Sequence, residues 1–219
     1  TIKLFNIKKE IHVIPNFIEL DKIRNESLIS CQRSVMANKE ERIVTHISNF
    51  RKVKRIPDII KIFYKIQEKI PAKLMMVGDG PEKVKAEQLC KELGIEEKVI
   101  FFGNSSEIDQ ILSYSDLFLL PSETESFGLA ALEAMAWSVP VISSNSGGLP
   151  EVNFDGISGY LSNVGDVDSM AENALKILTD DATLAKFRES ALEIAQQFDI
   201  KKILPLYEAL YHEAINNSK

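Results

Sequence analysis

The sequence predicts an α/β fold, a Rossmann-like doubly wound parallel sheet followed by C-terminal helices. Three observations predict it. Short apolar runs alternate with longer amphipathic stretches from Arg42 to Ser143. Most of those runs are apolar nearly throughout, as strands covered on both faces must be. Beyond Asp166 the runs stop and only helical spacing is left.

Taken in order, Arg42–Ser48 reads as a strand, and the helix Arg55–Lys69 follows with Ile56, Ile59, Ile60, Phe63 and Ile66 on one face. Ala72–Val77 is the next strand and Pro81–Leu93 its helix, with Pro81 suited to a first helical position. Lys98–Phe102 and Glu107–Tyr114 repeat the pair, as do Asp116–Leu120 and Phe127–Trp137. Val139–Ser143 adds a fifth strand. Such alternation implies βαβ units with right-handed crossovers. The tail reads as three helices, Asp166–Leu178, Ala182–Gln197 and Lys201–Ala214, with caps or breaks near Asp166, Asp181 and Pro205.

The 219 residues suffice for one sizeable core. A formal net charge of −6 argues against nucleic acid as a partner, because a phosphate backbone selects a basic surface. It leaves room for a local basic pocket holding one small anion. Cys31 and Cys90 stand far apart, with no CxxC pair and no neighbouring His, so neither a disulfide framework nor a metal site is expected. No apolar run reaches the roughly 18 residues that span a membrane, and no signal peptide is visible. A reduced, cytoplasmic setting is the simple expectation. The chain opens at Thr1 without Met, inside what reads as a running segment, so we expect sequence upstream.

In a doubly wound sheet the ligand crevice lies outside the C-terminal ends of the strands. Three loops there carry suggestive residues. In Ser48–Arg55 four cations, Arg51, Lys52, Lys54 and Arg55, fall within five residues. Cations beside a helix N-terminus make an anion site, although a solvated loop would look the same. Val77–Pro81 (VGDGP) resembles a truncated dinucleotide fingerprint, but Lys83 stands where the third Gly belongs. It reads as a tight turn in which Gly78 lets backbone approach a ligand, or as a turn and nothing more.

The third loop, Pro121–Met135, places three carboxylates before or in a helix. Ser126 can cap that helix, and free N–H groups near Phe127, Gly128 and Leu129 would face the crevice. Gly128 removes a side chain where an anion would approach. Glu133 lies eight residues after Glu125, or roughly 12 Å along a helix and a little over two turns, which puts both carboxylates on a similar side. A capped core helix explains Leu129, Leu132 and Met135. It does not explain Glu133 among Ala and Leu, where a buried carboxylate would need a partner. Asn145–Glu151 follows the next strand, and Gly147 and Gly148 permit close approach.

At these residues the chain resembles the GT-B retaining glycosyltransferases of the group 1, or family 4, type. The family's E-x7-E signature is matched by Glu125 to Glu133, after a strand ending Pro121-Ser122. Val13–Asn16, Val77–Pro81, Gly147–Glu151 and Asn153–Gly159 match four further segments in order. Within the family, His46–Arg55 looks most like the branch that joins N-acetylglucosamine to L-malate at the start of bacillithiol synthesis.

The resemblance implies the C-terminal, donor-binding domain over residues 1–200, and a helix over 201–219 that crosses back to an acceptor-binding N-terminal domain absent from this chain. It implies a UDP-sugar donor, probed by Glu125 near the reacting centre and by Glu133 at the ribose hydroxyls. Ser126, Phe127, Gly128 and Leu129 would bind sugar hydroxyls and diphosphate, and Lys54 would pair with the diphosphate. The family's Arg five positions before that Lys is replaced by Asn49, so Arg51 is the substitute cation. The base is expected near Gly103 and Asn104. No cofactor or metal is implied. The acceptor would be a small molecule held by the absent half, and a homo-oligomer is left open. The isolated chain is expected to bind donor weakly and transfer nothing. Alternatives are a related transferase with a lipid or glycan acceptor, a non-catalytic nucleotide-binding module, and a nicotinamide-dependent oxidoreductase, the last disfavoured by Lys83.

Overall fold

A computed structural model describes residues 11–21, 23 and 33–217. Thr1 and Cys31 lie outside the described residues. The sheet has six parallel strands in the order β3-β2-β1-β4-β5-β6. They are β1 (Arg42–Ile47), β2 (Ala72–Val77), β3 (Val99–Gly103), β4 (Leu117–Leu120), β5 (Val141–Ser144) and β6 (Gly159–Ser162). The order grows outward from β1 in one direction and from β4 in the other. The β1/β4 boundary is therefore the topological switch point, where such sheets open a ligand crevice.

Successive side chains on a strand face opposite sides, and the core divides accordingly. Leu117 and Leu119 of β4 join Val44, Leu74 and Ile142 on one face. There α1 (Ile56–Gln67) and α6 (Val167–Leu178) cover them. Phe118 and Leu120 join Val141 on the other face, under α4 (Leu129–Ala136) and the end of α7 (Asp181–Ala195). The five apolar residues predicted for α1 are all fully buried. Each such side chain contributes about 2 kcal/mol of apolar burial. Further helices are α2 (Lys83–Leu93), α3 (Ile108–Ser113), the single turn α5 (Leu149–Val152) and α8 (Ile200–Asn217), and a helical turn at Arg33–Met36 precedes β1.

An ion-pair cluster around the buried Asp116 fixes the base of the switch point. Asp116, 4% exposed, accepts from Arg33, Arg188 and the Ile43 N–H. Ile18 adds a parallel bridge to Asp199, tying the first described residues to the α7–α8 junction. Among the described residues no helix is long and apolar enough to cross a membrane.

Several local expectations need correction. Strand β6 was not predicted. It is four residues long, starts on Gly159 and follows a glycine turn, so it lacks an apolar run. Pro81 precedes the helix, which begins at Lys83 after a turn. The cap expected near Asp181 is Asp180, which accepts from the Thr183 N–H at 2.7 Å. Asp166 does cap α6, accepting from the Ser169 N–H. Pro205 does not break α8. It sits on an exposed side of a continuous helix, where solvent can satisfy the carbonyl that loses its donor.

Candidate functional site

The site forms where the loops after β1, β4 and β5 meet at the switch point. The β1 loop leaves Ile47, makes a 3-10 turn at Lys52–Lys54 and ends on Arg55 in the left-handed region (φ 53°, ψ 47°). That turn sends the cations different ways. Arg55 reaches Asp58 through Nε and lies 3.3 Å from Glu123. Lys54 Nζ reaches across to Glu125 Oε1 at 2.6 Å. The Glu123 N–H donates to the Val53 carbonyl at 2.8 Å, so backbone also joins the β1 and β4 loops.

Glu125 is held from three sides. Its Oε1 also accepts from Ser122 Oγ at 2.7 Å, and Ser122 is fully buried. The Ser122 carbonyl accepts from Ser144 Oγ. On the β5 side, the Glu125 carbonyl accepts from the Gly148 N–H at 2.8 Å. A Cβ on Gly147 would lie 2.1 Å from that carbonyl oxygen, and one on Gly148 would lie 2.6 Å from the Ser126 carbonyl oxygen. Glycine is required at both because backbone packs on backbone.

The same holds for the VGDGP turn. A Cβ on Gly78 would lie 1.8 Å from the Ser48 carbonyl oxygen, and one on Gly80 would lie 2.8 Å from Phe50 backbone. The close approach expected here for a ligand is made by the β1 loop itself. The Phe50 N–H donates to the Asp79 carbonyl at 2.9 Å to fix that contact.

Helix α4 begins later than expected. Its N-cap is Gly128 at φ 97°, with no side-chain cap, so Ser126 does not cap it. Gly128 has a packing reason too, since a Cβ there would lie 2.8 Å from Leu149 Cδ2. The N–H groups of Phe127, Gly128 and Leu129 make no hydrogen bond among the described residues. They are unsatisfied donors at a helix start, a favourable place for an anion.

Glu125 therefore lies before the helix, and the single-helix geometry expected for Glu125 and Glu133 does not hold. Glu133 is also exposed, so the expectation of a buried, unpartnered carboxylate is corrected. It stands four residues after Leu129 on one face of α4. Both line an open groove of about 450 Å³ with Phe17, Ile18, Ile108 and Asp109. The groove walls desolvate Glu133, and the nearby charge of Asp109 adds to this, so its carboxyl is raised above the ordinary range. Asp109 itself is oriented by Trp137 Nε1 at 2.9 Å.

His46, fully buried on β1, ties strand β4 to the start of the β1 loop. Its Nδ1 lies 2.8 Å from the Leu119 carbonyl and its Nε2 lies 2.7 Å from Ser48 Oγ. A carbonyl can only accept, so Nδ1 carries the proton. Desolvation, opposed by the Leu119 bond and helped by the charge of Lys54, lowers the ring pKa to about 4. The ring is neutral near pH 7, and Ser48 donates into Nε2.

The structure thus brings together Lys54, Glu125 and the N–H groups at Phe127–Leu129, with Glu133 one helical turn beyond Leu129. Asn49 and Arg51 are exposed and make no side-chain hydrogen bond or ion pair among the described residues. Asn104 is exposed just past the edge strand β3. Sequence reasoning missed Ser122, Ser144, Asp109 and the His46–Ser48 pair. Only Ser122 left a signal, as a small hydroxyl three residues before Glu125 at a strand end.

A parallel α/β sheet with a crevice at its switch point defines a broad class, and comparison with known proteins places the chain within it. The family described as "Glycosyl transferases group 1" matches residues 32–194, and the chain belongs to that family. It is 40% identical, over its whole length, to the N-acetyl-alpha-D-glucosaminyl L-malate synthase of Bacillus anthracis. Among solved structures it superposes with a TM-score of 0.81 on Anabaena Alr3699/HepE in complex with UDP and glucose, at 25% identity over 92% of this chain. Sucrose-phosphate synthase of Thermosynechococcus elongatus superposes at 0.85 over 99% of this chain and supports the fold alone, at 23% identity. The fold is that of the GT-B glycosyltransferases. The chain spans 58% of the malate synthase and 57% of the HepE chain.

Proposed function

We propose that this chain is the donor-binding half of a retaining glycosyltransferase that moves N-acetylglucosamine from UDP-N-acetylglucosamine to the hydroxyl of L-malate. The observation that carries the reading is the meeting of Lys54 and Glu125 at the switch point, beside the unsatisfied N–H groups of Phe127–Leu129. In this reading the Lys54 ammonium and those N–H dipoles meet the negative charge that builds on the diphosphate of a leaving nucleotide, and stabilising that charge is the main electrostatic task of such a transfer. The cation and the N–H dipoles supply it without a metal.

The choice of donor and acceptor draws on the relative named as a malate synthase and on the UDP held by HepE. The groove beside α4 suits the nucleoside, with Glu133 accepting from ribose hydroxyls at one end and Asn104 near the base. Glu125 meets the sugar. It is not assigned as a nucleophile, because glycosidase-style double displacement needs two carboxylates about 5 Å apart across one bond. Glu133 instead belongs to the groove on α4.

The acceptor pocket belongs to a second domain preceding this chain. The exposed Leu206, Tyr211 and Ile215 of α8 suit a helix that packs against it. By this reading the isolated chain binds donor weakly and transfers nothing, and the whole enzyme works in the cytoplasm.

Product analysis tests it. The full-length protein is incubated with UDP-N-acetylglucosamine and an acceptor panel containing L-malate, and products are identified by mass spectrometry. The reading expects N-acetylglucosaminyl malate with retained configuration. Glycosylation of another acceptor with malate untouched would reject the assignment.

A further inference from the structure

Two groups that the proposed reading gives to different parts of one donor are bonded to each other in the protein. Lys54, read as the partner of the diphosphate, lies 2.6 Å from Glu125, read as the partner of the sugar. We propose that Glu125 competes with the nucleoside diphosphate for Lys54, and so sets how tightly the site holds nucleotide. This rests on the reading of Lys54 given above.

Three observations support it. First, the pair is partly withdrawn from solvent, with side-chain exposures of 20% for Lys54 and 14% for Glu125. Its attraction is weakened less by water and salt than that of a surface pair. Second, the carboxylate is the fixed partner. Oε1 is also held by the buried Ser122 hydroxyl, and the Glu125 carbonyl by the Gly148 N–H. The long lysine comes to it, and an arriving phosphate must draw the ammonium away or share it. Third, the neighbouring Arg55 is already committed to Asp58 and Glu123, so it does not substitute. The pair is neutral as a unit, whereas Lys54 alone would present a full positive charge.

The consequence is a site that stabilises diphosphate less than its lysine could, which favours release of the nucleotide product. Glu125 then has two tasks, one at the sugar and one exerted through Lys54.

The test is calorimetric titration of UDP into the full-length protein and its variants. Glu125→Gln keeps an oxygen for Ser122 and removes only the charge. It is expected to tighten UDP by about tenfold, the equivalent of one modest ion pair, while transfer falls. Glu123→Gln makes the same charge change beside Arg55 and is expected to stay within about twofold. Unchanged or weaker binding by Glu125→Gln overturns the proposal, as does equal tightening by Glu123→Gln. Thermal unfolding checks that the variants fold. If Glu125→Gln does not, Glu125→Asp withdraws the carboxylate by one methylene and is expected to tighten UDP by a smaller factor, with no tightening again overturning the proposal. Lys54→Ala separates the two levels. If it weakens UDP while Glu125→Gln fails to tighten it, the competition is wrong and the donor site stands. If Lys54→Ala leaves UDP binding unchanged, the site reading and the competition both fall.

Discussion

Gly78 faces the carbonyl of Ser48 so closely that a Cβ at position 78 would sit 1.8 Å from the carbonyl oxygen. Gly78 also has a φ of 122°, which side chains rarely adopt. The loop that carries Lys54 therefore rests on a glycine of the neighbouring turn.

Gly78→Ala must push that loop away as well as strain its own backbone. We expect a loss of about 3 kcal/mol of stability in urea unfolding, together with weaker UDP binding as Lys54 moves. A variant with wild-type stability would show that the two loops do not meet as described.

His46 gives the fold a pH dependence of definite sign. Its folded pKa is about 4, below the ordinary 6.5, so the unfolded chain binds the proton more readily. The contribution is intact above pH 6.5, declines as pH falls through the window to about 4, and is fully lost below it. The loss amounts to about 3 kcal/mol over that window. Unfolding free energies at pH 7.5, 5.5 and 4.5 should show this slope in the wild type. His46→Asn should be less stable at pH 7.5, having lost the Leu119 or Ser48 bond, but flatter with pH. An unchanged slope in the variant would assign the effect to other groups.

Metal removal should leave transfer unaffected, because Lys54 and the N–H groups at Phe127–Leu129 supply the positive charge at the proposed diphosphate position. The check is initial rate with UDP-N-acetylglucosamine before and after exhaustive chelation. Equal rates are expected, and a loss restored by added magnesium or manganese would contradict the proposed electrostatics.

Much of this architecture was legible in the sequence because buried parallel strands must be apolar on both faces. Five strands and the buried stripe of α1 announced themselves that way. Strand β6 did not, because Gly159–Ser162 carries little apolar character and is stabilised by pairing with β5. The start of α4 was misplaced because Ser126 has the chemistry of a cap, while the residue that ends the loop is a glycine at positive φ, where a Cβ would also crowd Leu149. The charged residues of the site could be named from motif spacing, but their pairing could not. Lys54 and Glu125 are 71 residues apart, and only the strand order that makes β1 and β4 neighbours brings them together. The exposure of Glu133 was likewise hidden, since its apolar neighbours on α4 face the core while it faces the groove.

The proposed nucleotide site runs from Lys54 through the start of α4 to Glu133. Calorimetric titration of UDP into the full-length wild type, Lys54→Ala and Glu133→Ala tests it most directly. UDP should bind more weakly to Lys54→Ala by about tenfold or more. A similar loss is expected in Glu133→Ala, together with loss of any preference for UDP over its 2′-deoxy analogue. Unchanged affinity in Lys54→Ala overturns that site, and unchanged affinity in Glu133→Ala removes Glu133 from it.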